Sequence, residues 1–325
     1  MNLENLAKTL EKEPKYRLKQ AETAVFQKLI KDWAEATVLS VGLREKLNKE
    51  CPLSIEAEVF SSGDTEKIRL NLDDGLKIEA VLMRHSDGRN TVCVSSQAGC
   101  PLGCKFCATG TMGFKRNLSP SEIVEQILFF RRRQERVTNI VFMGMGEPFL
   151  NYENVMKAVR TINDKNGLNI GARNISLSTA GITAGIKKLA TENLQLNLAI
   201  SLHAPNDELR SQIMPVNKKY PLETVLETVD DYIKKTNRKV MFEYLLLKGI
   251  NDSDNCAWEL GRLMKKPLYF LNLILYNTTG TFEPSDPERV TKFKEILKRT
   301  GVNFSQRYRF GRNIKAACGQ LAGSQ

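Results

Sequence analysis

Only two histidines, His85 and His203, occur in the 325 residues. So few imidazoles leave little room for a His-rich zinc site. No apolar run approaches the ~18 residues that a membrane-spanning helix needs, and the longest hydrophobic stretches are strand-sized. Met1 to Pro14 mixes Lys and Glu around no apolar centre, so no export signal is expected. Internal repeats and low-complexity segments are missing too. Acidic residues are the scarcer charge: 37 Asp+Glu against 48 Lys+Arg leaves +11, which suits an anionic partner, most simply nucleic acid.

What is present is ordinary in bulk, with 42% apolar and 26% charged residues, as in a globular chain. The length fits two domains, or one barrel-sized catalytic domain with a small addition. From about residue 91 onward strand-like and helix-like segments alternate. Apolar, β-branched runs fall at 91–95, 139–143, 174–178, 196–202, 239–247 and 269–276. Helix starts lie between them. Ser119-Pro120-Ser121-Glu122 is an N-cap with Pro at the first helical position and a capping-box Glu, and Asp286-Pro287-Glu288 repeats the cap-plus-Pro pattern. Six strands alternating with helices predict an α/β fold of parallel βαβ units, closed or partly closed into a barrel. Residues 1–90 differ: helical segments around Tyr16 and Leu43, then two strands joined by Asp73-Asp74-Gly75, read as a small α+β accessory domain. The expected division is 1–90 accessory, 91–300 core and 301–325 tail.

The seven cysteines carry the chemistry. An odd number, without an export signal, is not a disulfide framework, and a reducing cytoplasm is the expected compartment. Cys100, Cys104 and Cys107 crowd into a CxxxCxxC loop rich in Gly and Pro, just after the first core strand. Three thiolates suit an iron–sulfur cluster, and three cysteines on a four-iron core leave one iron open, as a catalytic metal requires. A structural zinc with His203 or Cys93 as fourth ligand is the alternative, although zinc sites favour a two-residue gap. Further candidate residues fall at strand ends: Gly146 and Glu147 in a Gly-Glu-Pro turn, and the polar Ser178, Ser201 with His203 (flanking Leu202), and Asn277. In parallel α/β barrels that rim builds the active site. In the tail, Cys318 sits among small residues, and Gly301 to Gln325 holds four basic residues (Arg307, Arg309, Arg312, Lys315) and no acidic one. Arg131-Arg132-Arg133 with Arg136 reads either as a solvated helix end or as a phosphate track. Cys51 and Cys256 match no motif and read as structural.

The CxxxCxxC loop resembles that of the radical S-adenosylmethionine (SAM) superfamily. Cys-Val-Ser-Ser-Gln (93–97), Gly-Phe-Lys-Arg-Asn-Leu (113–118), Gly-Met-Gly-Glu-Pro (144–148), Ser-Leu-His-Ala-Pro-Asn-Asp (201–207) and Ala-Ala-Cys-Gly-Gln-Leu (316–321) narrow the resemblance to RlmN/Cfr-type rRNA adenine methyltransferases over nearly the whole chain. The resemblance implies a partial (β/α)6 radical SAM barrel. It implies one [4Fe–4S] cluster on Cys100, Cys104 and Cys107, and two SAM molecules per turnover held by Gly146, Glu147, Ser178, Ser201, Leu202, His203 and Asn277. Cys318 is then the S-methylated carrier. Its methylene radical adds to an adenine carbon, and Cys93 releases the product by forming a Cys93–Cys318 disulfide. Glu79 matches a family proton acceptor; on pattern alone it reads as a solvated strand carboxylate.

The implied substrates are an adenosine of 23S rRNA, methylated at C2, and the adenosine beside the tRNA anticodon. A flavodoxin or ferredoxin is the implied electron donor, and the chain is expected to be a monomer. Ala-Thr-Gly after Cys107 looks Cfr-like and keeps C8 methylation as the alternative. Asn313 stands where the family carries an acidic residue. Two other classes stay open: a non-catalytic RNA-binding protein with a structural metal, and a radical SAM enzyme acting on a small molecule.

Overall fold

In the computed structural model the described residues are 3–323; residues 1–2 and 324–325, at the ends of the expected outer segments, lie outside them. Among the described residues twelve strands are present: β1 Ala57–Ser62, β2 Thr65–Asn71, β3 Lys77–Arg84, β4 Asn90–Cys93, β5 Gln97–Gly99, β6 Phe114–Asn117, β7 Asn139–Phe142, β8 Ile175–Thr179, β9 Asn197–Ser201, β10 Val240–Leu246, β11 Tyr269–Leu275 and β12 Phe304–Gln306. Ten form one sheet in the order β1-β2-β3-β4-β7-β8-β9-β10-β11-β12, and β5 and β6 pair separately. From β4 to β12 all pairings are parallel. The six expected core strands are therefore present in their expected order. The seventh parallel strand, β12, was not expected: three residues carry no periodicity of their own, and pairing with β11 creates the strand.

Alternation along the core strands decides what the sheet encloses. Ile140, Phe142, Leu177, Leu198, Ile200, Phe242, Leu271 and Leu273 are buried in the apolar layer. The intervening positions, among them Ser176, Asn197, Met241, Glu243 and Asn272, face an interior cavity. Barrel interiors are ordinarily filled by branched apolar side chains. This one, lined by Ser and Asn, is hollow.

The helices follow their start signals. Ser119 caps Pro120–Arg132 through a full capping box with Glu122. Asp286 precedes Pro287–Thr300 but makes no cap hydrogen bond, because its carboxylate accepts from Lys248 instead. The N-terminal helices Lys15–Phe26 and Val41–Glu50 pack around Trp33, whose indole N–H donates to the Cys51 carbonyl at 2.7 Å. Cys51 and Cys256 are buried among apolar neighbours. β2 and β3 form the expected hairpin, and β3 pairs antiparallel with β4, so the sheet runs without a break across residue 90. The arginine run is engaged within the chain: Arg131 donates to the Leu168 carbonyl, Arg132 to that of Leu53, and Arg133 pairs with Glu66. No helix among the described residues is long and apolar enough to cross a membrane.

Candidate active site

β5 delivers the chain to the loop of Cys100, Cys104 and Cys107. Backbone bonds close this loop: the Cys100 N–H donates to the Gly113 carbonyl (2.9 Å), the Cys107 N–H to that of Cys104 (3.1 Å), and the Lys105 N–H to that of Ile213 (3.0 Å). The three cysteines line one cavity of about 150 Å³. Burial pushes the Cys100 thiol up to about 12 and raises Cys104 as well. A bound metal cation reverses that tendency by favouring thiolates. Among the described residues, no three Cys, His, Asp or Glu side chains close to the spacing of a single-ion site. The three thiols instead border a shared space, which fits a multi-iron core.

The same cavity is walled by the loop after β7 and by the ends of β8 and β9: Gly146, Glu147, Ser178, Ser201 and His203. Gly146 has φ +96°, and a Cβ there would lie 2.5 Å from Cβ of Gln97, so only glycine lets this loop close on β5. Glu147 is buried, with its carboxylate accepting from the N–H groups of Phe149 (3.0 Å) and Ala180 (2.8 Å). Burial raises its pKa to about 7, against those two bonds and a third from the Thr179 side chain. His203 sits in the left-handed region at φ +58°, and its Nδ1 accepts the Leu245 N–H at 3.1 Å. Burial, with Arg210 adding to it, lowers its pKa to about 3, so the ring is neutral and carries its proton on Nε2.

The tail closes over this region. The Ala108 N–H donates to the Gly319 carbonyl (2.8 Å), and the Thr109 hydroxyl donates to the Leu321 carbonyl (2.6 Å). Both donors directly follow Cys107. Gly319 adopts φ +82°, and a Cβ there would come within 3.3 Å of the Phe106 carbonyl oxygen. Gln320 donates to the Thr278 carbonyl, and the Ala322 N–H donates to Glu79 (3.0 Å). These bonds hold Cys318 at the junction of two cavities: the one above, and the barrel interior of about 520 Å³, which Cys93 and Cys318 both line.

The Radical SAM superfamily profile matches residues 94–256. The chain is 47% identical over 317 residues to the probable dual-specificity RNA methyltransferase RlmN of Dictyoglomus thermophilum, covering 95% of this chain and 91% of that protein. It is 43% identical to the ribosomal RNA large subunit methyltransferase N of Nitrosopumilus maritimus, covering 94% and 92%. The crystal structure of a radical SAM methyltransferase from Sphaerobacter thermophilus superposes with a TM-score of 0.94 at 42% identity, covering all of this chain and 98% of that one. The chain belongs to the RlmN family of radical SAM enzymes. Membership implies a [4Fe–4S] cluster and SAM.

Against that RlmN frame, the residues singled out in the sequence are distributed unevenly. Cys100, Cys104, Cys107, Gly146, Glu147, Ser178, Ser201, His203 and Cys318 share the smaller cavity. Asn277 lines the larger one, and Leu202 reaches neither with its side chain; its N–H donates to the Glu243 carbonyl. Cys93 is 8% exposed and faces the larger cavity. Burial pushes its thiol up to about 12, with Cys318 adding to the rise and Arg307 opposing it. Glu79 is 1% exposed, pairs with Lys67 at 3.0 Å and lines neither cavity, so it is no solvated strand charge. Cys93 and Cys318 are both free thiols; the disulfide implied for turnover is not formed in this structure.

Three further residues belong to the site. Glu243, on β10, lines both cavities, with one carboxylate oxygen accepting from Asn272 and the other 3.6 Å from the Arg307 guanidinium. Arg307 couples electrostatically to Cys318, Glu243 and Cys93 and donates to the Met143 sulfur. Arg210 is fully buried and donates to the carbonyls of Ala180, Ser201 and Leu202, tying together the rim that carries the SAM-type motifs. Arg210 also donates to the Asn217 side-chain oxygen and the Tyr220 carbonyl, contacts that the local sequence around it does not announce.

Proposed function

We propose that this chain methylates C2 of an adenosine in 23S rRNA, and the adenosine beside the tRNA anticodon, with Cys318 as the carbon carrier. The observation that carries the reading is the placement of Cys318 at the junction of two cavities, one opening on the three cluster-type cysteines and the other on Cys93. Cys100, Cys104 and Cys107 would hold one [4Fe–4S] cluster, and the Gly146–Glu147 turn with Ser178, Ser201, His203 and Asn277 would hold SAM. When bound, these groups supply a methyl to sulfur and a hydrogen-abstracting carbon radical, consuming two SAM per turnover with electrons from a flavodoxin- or ferredoxin-type donor.

The protein's own residues do the rest. Glu147, with its raised pKa and no cationic partner among the described residues, ionises fully when an ammonium group is placed against it. Cys318 takes a methyl on sulfur; after that methyl loses a hydrogen atom, its carbon bonds to the adenine ring. The radical adduct must then give up one electron, which the oxidised cluster would accept, and the ring C2 proton. Cys93 then attacks the Cys318 sulfur, the S–CH2 bond breaks, and the methylated base leaves with a Cys93–Cys318 disulfide behind. Glu79 accepts the Ala322 N–H, so it can serve as proton acceptor only when the tail lifts. We assign the enzyme to the cytoplasm, working as a monomer.

Nucleoside mass spectrometry of 23S rRNA and tRNA treated with the loaded enzyme tests this reading. It requires 2-methyladenosine; 8-methyladenosine would move the enzyme to Cfr-type chemistry.

A further inference from the structure

The interior of the barrel is larger than the chemistry at its top requires. Its cavity of about 520 Å³ continues past Cys93 and Glu243 to the N-terminal ends of the strands. There Arg89, Asn174 and Lys239, all exposed, form its lower rim. That volume is in the range of small-molecule sites, ~300–1,000 Å³. Lys239 stacks over the Phe270 ring and pairs with no carboxylate among the described residues, so the rim presents a cation. Cys93 ends a strand that begins at Asn90, which puts its sulfur about 10 Å above that rim at the usual strand rise. From above, Cys93 shares its cavity with the tail residues Ala316, Ala317, Cys318 and Leu321, and that tail is hydrogen-bonded to the cluster-type loop.

We infer that the hollow barrel is a binding site and access path for a low-molecular-weight anionic thiol that reduces the Cys93–Cys318 disulfide from the side opposite the cluster loop. The inference rests on the function proposed above, which leaves that disulfide after every turnover. A thiolate attacks the Cys93 sulfur, the Cys93–Cys318 bond breaks, and Cys318 leaves as a thiolate. A second thiolate attacks the outer sulfur of the mixed disulfide, freeing the Cys93 thiolate and releasing the oxidised small disulfide. Two thiols are oxidised and two cysteines regenerated. A protein dithiol, whose reactive sulfur lies on a folded surface, does not reach 10 Å into a channel lined by strands.

The test uses the full-length holoenzyme, oxidised either by turnover on rRNA without thiol or by diamide, with loss of the disulfide followed by mass spectrometry. 2-Mercaptoethanesulfonate and cysteamine are compared at equal thiolate concentration. Electrostatic attraction at the rim is expected to favour the sulfonate about tenfold at low salt. That preference should collapse in high salt and in Lys239→Glu. Met241→Trp, which fills the mid-channel, should slow both thiols at least about tenfold while single-turnover methylation from pre-methylated Cys318 is unchanged. Equal rates for the two thiols at low salt, no slowing in Met241→Trp, or loss of single-turnover methylation in that variant would each overturn the inference. Should Met241→Trp fail to fold, the sulfonate preference and its loss in Lys239→Glu still decide. Failure of the wild type to methylate RNA, with diamide-oxidised protein still behaving as described, would sink the proposed function and leave the channel standing.

Discussion

Glu147 and His203 face the same small cavity, and the same burial shifts their pKa values in opposite directions, each toward its neutral form. Glu147, raised to about 7, is partly protonated at neutral pH, and pairing with an ammonium needs it ionised. SAM affinity of the cluster-loaded enzyme should therefore strengthen as pH rises from 6 to 8. Glu147→Gln should weaken binding by about 1.5–3 kcal/mol, the usual worth of a hydrogen bond to a charged group, and should flatten the pH dependence; equilibrium dialysis with labelled SAM measures both. His203 works through stability. Its folded pKa of about 3 lies below the unfolded value of 6.5, so below pH 6.5 the unfolded chain binds the extra proton and stability falls. Between pH 6.5 and 5 the loss should be about 1.6 kcal/mol, since the unfolded imidazole is only half protonated at pH 6.5 and the full slope of about 1.36 kcal/mol per unit is reached below it. Denaturant unfolding should show that slope in the wild type and a reduced one in His203→Asn, a residue that tolerates the left-handed backbone.

At the scale of elements, the active site depends on two loops that grip each other. The Thr109 hydroxyl and the Ala108 amide hold the tail carbonyls of Leu321 and Gly319, so the loop that carries the cluster-type cysteines also fixes Cys318. Thr109→Val removes one buried bond at nearly constant shape and should cost about 1 kcal/mol locally. Hydrogen exchange at Ala322 and alkylation of Cys318 should both accelerate, and Thr109→Ser should restore them. Much at this scale was legible because the signals are local: the Ser119 capping box, the Asp73-Asp74-Gly75 hairpin and the period-2 strands each specify their own backbone. Asp286 shows where such reading stops, since its cap is withdrawn by Lys248, 38 residues away. β12 shows the same in reverse: its edge partner, and no pattern of its own, makes it a strand.

Across the whole molecule, the residues that escaped sequence reading are those whose meaning is set by distant partners. Glu79 reads as a surface charge until β3 is sandwiched between β2 and β4 and the tail settles on it. Glu243 and Arg307 sit 64 residues apart and meet only because β10 and the end of β12 face the same hollow. The cysteine spacing and the strand-end motifs needed no such information. The net charge of +11 acts over the whole surface. Affinity for rRNA fragments should fall log-linearly with salt, with a slope of about −0.7 per phosphate contacted on single strands, and a salt-insensitive complex would argue against phosphate contacts.

Enzyme loaded anaerobically with its cluster and given SAM bearing a trideuterated methyl, without RNA, tests the carrier role of Cys318 most directly. The peptide containing Cys318 should gain the mass of one labelled methyl, and addition of rRNA should remove it while the label appears in 2-methyladenosine. An unlabelled peptide alongside labelled RNA product would contradict the account.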